Sequence, residues 1–413
     1  MSLEIFISAG EASGEHYGAL LAAELLRKAA LQGQTVKLIG MGGPQMQAAG
    51  VERIVRAEDM AVMGFTEIVV HLPRIYREFR KLKRAIRARR PSVAVLIDFP
   101  EIHFRLAKEF HRLGVPVVYF VSPQLWAWKQ HRIKLVREFV DRMLVIFPFE
   151  EKFYRDRGVP AEYVGHPLAD QPQPAISREQ FAAENHLDPA RTWIGLLPGS
   201  RLPEIRNHLP EMLKAAQTLS ASQSSAAAPA GPYEFLIPLA STLDAAQRAA
   251  VLQLAREHGS GLAVRLVDDA RPALFHSRAS VVASGTATVE AALIGSPFIV
   301  VYRVSPLTYA IARRVVKVPH VAMANLIAGK RVVPELIQHG FTAANIVQQL
   351  MRLLPDGPSR ESMTLELGVI RNALRTRSDA KPGEAVGAII RVAAIVLETV
   401  QAATPAAVAA AQH

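Results

Sequence analysis

The sequence predicts an α/β protein made of two Rossmann-like domains with parallel sheets, and three observations carry that expectation. Apolar, β-branched runs alternate with helix-patterned stretches from the first residues onward, the order that yields a parallel sheet wrapped by helices. Several of those runs are apolar throughout, as strands covered on both faces are. After a proline-rich break, HPLADQPQPAISREQF (166–181), the pattern starts again. At 413 residues the chain is long for one core and fits two or three domains.

In the first half the strand candidates are LEIFISAG (3–10), VKLIGMGG (36–43), SVAVLIDFP (92–100), VPVVYFVSP (115–123), RMLVIFPFE (142–150) and AEYVGHP (161–167). In the second they are TWIGLLPGSR (192–201), YEFLIPLAS (233–241), LAVRLVDDA (262–270), ASVVASGT (279–286) and PFIVVYRV (297–304). SASQSSAAAPAGP (220–232) is a low-complexity insertion and reads as a surface loop. The expected division is 1–168, 169–344, a helical segment 345–402 and a frayed Ala-rich tail 403–413. At least one helix after about residue 345 is expected to return to the first domain or to dock on a second copy of the chain. Ligands of open α/β sheets bind beyond the carboxyl ends of the strands, so the site is expected in a cleft between two facing sheets.

Half the residues are hydrophobic and none is cysteine, which excludes disulfides and thiolate metal sites and suits a reducing compartment. The N-terminus reads as a strand, not a signal peptide, and no run reaches the roughly 18 apolar residues of a membrane span. A cytosolic protein is expected. A net charge of +11 points to an anionic partner: nucleic acid, acidic lipid or a phosphorylated substrate.

The opening loop SAGEASGEHYG (8–18) joins a strand to a helix but is neither a P-loop nor a dinucleotide fingerprint. Its glycines allow something close to the backbone. Asp98 stands at the carboxyl end of an apolar strand, where a carboxylate can act as a general base toward a hydroxyl. The plainer reading is an N-cap for the next helix. Glu15 and His16 are placed near the same cleft. In the second half, LLPGSRLPEI (196–205) offers Gly199, Ser200 and Arg201 at a helix start, suited to a phosphate; a turn with a solvated arginine is the plain alternative. ASGTATVEAALIGSP (283–297) is sharper. Gly285 and Ala287 leave room for a diphosphate, Ser284, Thr286 and Thr288 carry hydroxyls, and Glu290 is placed to accept hydrogen bonds from ribose. Its alternative is to complement the helix dipole. Two such loops in one domain favour a nucleotide diphosphate.

Between residues 62 and 91 an apolar patch (Val62, Met63, Phe65, Ile68, Val69, Leu72) precedes nine Lys or Arg from Arg74 to Arg90, Arg77 among them. That is the pattern of a membrane-surface anchor, with a core helix bearing a solvated basic face as the alternative. No recognised nucleic-acid motif accompanies the run. Trp126 and Trp128 fit core, cleft wall or interfacial anchor equally. No H-E-x-x-H pattern or Asp-x-Asp pair marks a metal site.

In order along the chain, FISAGEASGE, MGGPQMQAAG, VLIDFPEIH, YFVSPQLWAWKQHRIK, FPFEEKFY, VGHPLAD, LLPGSRLPEI, ASGTATVEAAL and MANLIAGKRVVPELIQ resemble the bacterial lipid-A-disaccharide synthases. The resemblance spans about residues 3 to 340, and the 220–232 insertion and the tail lie outside it. It implies a GT-B glycosyltransferase that needs no cofactor. This enzyme joins UDP-2,3-diacylglucosamine to 2,3-diacylglucosamine 1-phosphate with inversion and works peripherally on the cytoplasmic face of a Gram-negative inner membrane. It places the donor on Arg201, Ser284 to Glu290 and Asn325, and the base on Asp98, with Glu15 as a second candidate. The acceptor falls on the opening loop through Ser8, Gly10, Ser13, Gly14 and His16. The rival expectations are another UDP-sugar enzyme, such as a UDP-N-acetylglucosamine 2-epimerase or the peptidoglycan glycosyltransferase, and a non-catalytic nucleic-acid-binding protein.

Overall fold

The computed structural model describes residues 3–60, 65–222, 232–316, 318–376 and 386–410, without the side chains of 65–71, 307, 311, 312 and 403–410. Val62 and Met63 lie outside the described residues, as do 223–231 of the low-complexity insertion. The chain divides into two compact units, Met1–Asp170 with Leu374–His413, and Gln171–Ala373.

The first unit runs β1 (Leu3–Ala9), α1 (Ala12–Leu31), β2 (Val36–Gly42), α2 (Pro44–Ala48), β3 (Val51–Arg56), α3 (Phe65–Arg89), β4 (Val93–Ile97), α4 (Pro100–Arg112), β5 (Val117–Phe120), α5 (Ile133–Phe139), β6 (Arg142–Val145), α6 (Pro148–Arg155) and β7 (Ala161–Tyr163). Its strands pair in parallel in the order β3-β2-β1-β4-β5-β6-β7. The direction of winding reverses between β1 and β4, where Ala9 stands beside Ile97. The loops after these two strands therefore leave the sheet side by side, the place where doubly wound sheets hold ligands. Ile5, Phe6 and Ile7 of β1 and all of β4 are fully buried, which is why both strands read as unbroken apolar runs.

In α3 the inward face is apolar at helical spacing: Leu82 and Ile86 are buried, and Ile75 and Phe79 pack on the same core. Part of the basic run is structural. Lys83 and Arg87 hold the buried Glu109 of α4 at 2.7 and 2.6 Å. Arg89 forks onto Glu4 and Glu52, both at 2.6 Å, and Arg74 pairs with Asp59. Arg77, Arg80, Lys81 and Arg84 remain exposed.

The second unit runs α7 (Arg178–Asn185), β8 (Thr192–Leu197), α8 (Leu202–Ser222), β9 (Tyr233–Pro238), α9 (Ala245–His258), β10 (Val264–Val267), α10 (Ala270–His276), β11 (Ala279–Ala283), α11 (Thr286–Ile294), β12 (Phe298–Tyr302), α12 (Pro306–Val315), α13 (Met323–Ala328), β13 (Glu335–Ile337), α14 (Ala343–Leu353) and α15 (Pro358–Leu374). Its parallel sheet has the order β10-β9-β8-β11-β12-β13. Here the switch point lies between β8 and β11, with Leu197 beside Val282.

The segment expected at 345–402 does not stay together: residues to Ala373 belong to the second unit, and the chain rejoins the first at Leu374. There the His166 N–H donates to the Leu374 carbonyl at 2.8 Å and the Thr376 hydroxyl to that of Val164 at 3.0 Å. The last helix, α16 (Ala388–Ala410), packs on α1 and β4. Asp170 caps it by accepting from the Ala388 N–H at 2.6 Å, and Arg391 reaches Glu162 at 2.7 Å. Its backbone stays helical to Ala410, into the stretch expected to fray. Alanine has the highest helix propensity.

β2 approaches β1 so closely at Gly40, where φ is +154°, that an added Cβ would overlap the Ile7 carbonyl oxygen. The β2–β3 register shifts at the same point. Gly114 has φ +68° but open space around it. Gly114→Ala is expected to lose about 1 kcal/mol, from backbone conformation alone. Gly40→Ala should lose more than about 3 kcal/mol, because backbone must move. Urea unfolding of the two variants compares them, and equal losses would contradict the close approach.

Candidate active site

In the first unit the chemistry gathers at the turn after β4. Asp98 and Phe99 both adopt left-handed backbone, at φ +50° and +51°, a conformation that typically costs about 1–3 kcal/mol per residue. The surroundings hold it in place. The Asp98 carbonyl accepts from the His103 Nδ1 at 2.5 Å and from the Tyr119 hydroxyl at 2.7 Å. A carbonyl only accepts, so Nδ1 carries the proton and Nε2 accepts from the Ser8 hydroxyl at 2.8 Å. Burial pushes the His103 pKa down to about 3, which keeps this bridge neutral. The Phe99 ring covers Gly10, where any Cβ would overlap it.

The consequence falls on the Asp98 carboxyl. Helix α4 begins after Phe99 with no side-chain cap, so Asp98 is not spent as the N-cap that sequence offered as its plainer role. Its pKa is pushed up to about 7, first by burial and then by the Glu11 carboxylate, against a smaller opposing effect of the Phe99 N–H. A carboxyl with that pKa has the protonation behaviour of a general base working near neutrality.

The opening loop mostly builds this turn, and the expectations for four of its residues change. Ser8 is fully buried and bonded to His103, so its hydroxyl is not available to an acceptor. Gly14 is buried against the Ile97 carbonyl. Glu15 accepts from the Gln45 N–H at 2.8 Å, at the N-terminus of α2, and His16 Nδ1 lies 3.3 Å from the Gln45 side chain. Glu11, which the sequence reading passed over, is exposed at the N-cap of α1. Ser13 is half-buried. Nearby, Trp126 is core: its Nε1 donates at 3.0 Å to the buried Glu150, whose pKa burial raises to about 7. Trp128 is 43% exposed, with the Lys129 ammonium 4.1 Å from its ring centre.

In the second unit two loops flank the switch point. After β8, Gly199, Ser200 and Arg201 lead into α8, with Ser200 and Arg201 exposed. Arg201 makes one loose contact with Glu204, at 3.7 Å, so its guanidinium remains open to an anion. After β11, Ser284 leads to Gly285, the N-cap of α11, with open space around it. Gly285 and Thr286 are exposed and Ala287 half-buried. These two helix starts present free N–H groups and positive dipole ends, the arrangement that receives phosphate. His208, which sequence reasoning missed, ties the loop after β8 to the end of β12. Its Nδ1 donates to the Pro198 carbonyl at 2.7 Å and its Nε2 accepts from the Arg303 N–H at 3.0 Å.

Two expected donor residues are placed elsewhere. Thr288 is fully buried and its hydroxyl donates to the Gly285 carbonyl at 2.7 Å. Asn325 is also fully buried, and all its hydrogen-bonding groups are engaged. Its Nδ2 donates to Val333 and Glu335 at 3.0 and 2.8 Å, and its Oδ1 accepts from the Val332 and Val333 N–H groups at 2.7 and 2.9 Å. It clasps the chain before β13 and has no group left for a ligand. Glu290, the fifth residue of α11, faces Arg271 of α10 at 3.8 Å; burial raises its pKa against the guanidinium.

Of the expected membrane contacts, Phe65, Ile68 and Val69 lie on α3 with undescribed side chains. Leu72 is 57% exposed, and Arg74 is tied to Asp59. Among the described residues no helix is long and apolar enough to cross a membrane. No group of three or more His, Asp or Glu among them gathers to hold a metal ion.

The profile of the family described as Lipid-A-disaccharide synthetase matches residues 5–389. A lipid-A-disaccharide synthase of Acidobacterium capsulatum is 56% identical over 96% of this chain and 96% of its own length. One from Koribacter versatilis is 50% identical over 91% of this chain and 94% of its own. Among solved structures, the glycosyltransferase of kitacinnamycin superposes with a TM-score of 0.58 at 15% identity, covering 96% of this chain and 99% of that one. The fold is of the GT-B type.

Asn325 checks the placement of the buried residues. Asn325→Ala leaves the Val332 and Val333 N–H groups buried without their acceptor, at about 1–3 kcal/mol each. Thermal melts should show that loss, while the folded fraction binds UDP with wild-type affinity. A stable variant with weakened UDP binding would put Asn325 back in the donor site.

Proposed function

The chain belongs to the lipid-A-disaccharide synthetase family, and from that premise we propose how its two units share the reaction. It is a glycosyltransferase that condenses UDP-2,3-diacylglucosamine with 2,3-diacylglucosamine 1-phosphate to the β-1,6-linked disaccharide 1-phosphate and UDP. The donor is α-linked and the product β-linked, so one base and a stabilised leaving group suffice. Asp98 takes the proton of the acceptor 6-hydroxyl as that oxygen attacks the anomeric carbon. The bond from the anomeric carbon to the diphosphate breaks, and its electron pair leaves with UDP. The transition state resembles an oxocarbenium ion, as in glycoside hydrolysis. Negative charge grows on the diphosphate. The N–H groups at the starts of α8 and α11, with Arg201, are oriented beforehand to receive it. Glu290 accepts from the ribose hydroxyls. The observation that carries this reading is the Asp98 carboxyl: half-buried, uncommitted to a cap, and with its pKa pushed up to about 7.

Membrane contact is assigned to the outer face of α3, where Arg77, Arg80, Lys81 and Arg84 lie exposed with Leu72 and Tyr76. Exposed cations beside apolar side chains suit an acidic bilayer surface. The enzyme then works peripherally, on the cytoplasmic face of the inner membrane.

Turnover of the purified chain with both diacylated substrates in detergent micelles tests the reaction. Disaccharide and UDP should appear in equal amounts, and tight UDP binding without disaccharide would contradict it. Asp98→Asn should lower kcat by about 10³-fold and leave UDP affinity unchanged. If UDP affinity falls instead, Asp98 is not an acceptor-side base. In the wild type, rate should rise with pH through about 7 as Asp98 ionises. Glu11→Gln removes a like charge, so the acid limb should move to lower pH; an unmoved limb would separate Glu11 from Asp98.

A further inference from the structure

Arg271 and Glu290 face each other across a gap that neither closes. Their nearest atoms, Nη1 and Oε1, are 3.8 Å apart, beyond hydrogen-bond reach. That Nη1 is buried and has no hydrogen-bond partner among the described residues, an arrangement proteins rarely leave standing. A second guanidinium nitrogen, Nη2, donates to the Pro172 carbonyl at 2.7 Å. Arg271 is therefore anchored on one side and unsatisfied on the side turned toward Glu290. Glu290 in turn accepts no hydrogen bond from the described residues. Arg271 also lines a cavity of about 520 Å³ with Phe181, Glu184, Asp268 and Asp269.

We propose that Arg271 is a positioning residue for the donor site: it aims the ionised Glu290 carboxylate at the 2′- and 3′-hydroxyls of a nucleoside diphosphate and closes on it when the diol is seated. This rests on the ribose reading of Glu290 given above. The chemistry requires a carboxylate. Two hydroxyl donors need two acceptor oxygens, and a protonated carboxyl turns one of them into a donor. Burial disfavours the ionised form of Glu290, and Asp269, at the N-cap of α10, adds to that; Arg271 opposes both. Of the other elements on α11, β11 and α13 (ASVVA and MANLIA) hold no titratable group, and Arg371 of α15 reaches the opposite, C-terminal end, donating to the Ile294 carbonyl at 2.7 Å. Arg271 is thus the cation that keeps Glu290 able to accept.

Calorimetry of the full chain with UDP and with 2′-deoxy-UDP, at mildly acid and mildly alkaline pH, tests this. The wild type should prefer UDP at both. Glu290→Gln should lose the preference at both. Arg271→Met should keep it in alkali and lose UDP affinity by about tenfold in acid, the size of one lost hydrogen bond. Arg271→Lys should restore most of the loss. A wild-type preference in Arg271→Met at both pH values, with Glu290→Gln impaired, overturns the role of Arg271 alone. A wild-type preference in Glu290→Gln overturns the ribose reading itself, and the proposal with it.

Discussion

The Asp98 carbonyl accepts two hydrogen bonds, one from the neutral His103 ring and one from the Tyr119 hydroxyl, and the chemistry of the first unit depends on that pair. They hold two consecutive residues in left-handed backbone just before a proline. Residues before proline normally prefer extended backbone, so the turn persists because its surroundings over-determine it. Ser8 fixes the far side of the imidazole, and Gly10 lets the Phe99 ring lie flat against the neighbouring loop. Satisfying the Asp98 backbone in this way leaves its side chain uncommitted. The carboxyl is then free to be a base, and burial sets its pKa near neutrality.

The second unit solves the opposite problem, receiving negative charge instead of a proton. It uses helix starts at its own switch point, with Arg201 exposed beside them. Among the described residues Arg201 meets a loose Glu204 contact at 3.7 Å, and the space beside Gly285 is open. The bracing comes from behind, through His208 between the ends of β8 and β12 and through Asn325 before β13. Buried, fully bonded polar side chains of this kind rigidify the backbone whose N–H groups do the binding.

Much of this was legible in the sequence. The eleven expected strands fall where strands form, because buried parallel strands announce themselves as apolar runs. The two missed strands lack that signal: β3 is VERIVR, half charged, and β13 has three residues. Asp98, Arg201 and Gly285 could be chosen because strand ends in such sheets carry ligands. What the sequence hid was which motif residues face inward. Ser8, Thr288 and Asn325 have side chains suited to ligand contact, and each spends its hydrogen bonds within the fold. Only three-dimensional partners, the His103 ring for Ser8 and the segment before β13 for Asn325, distinguish a binding residue from a brace. Glu11 was hidden for the converse reason: its influence is electrostatic, exerted on a residue far away in sequence.

Proton transfer in the first unit depends on the ionisation of one side chain, and a direct titration of it is the most telling measurement. With ¹³C-carboxyl-labelled aspartate, the difference between wild type and Asp98→Asn isolates the Asp98 signal without any substrate. The structure predicts a midpoint near pH 7. A midpoint near the ordinary aspartate value of about 4 would mean that the carboxyl is solvated in the free enzyme. The turn would then be holding something other than a base.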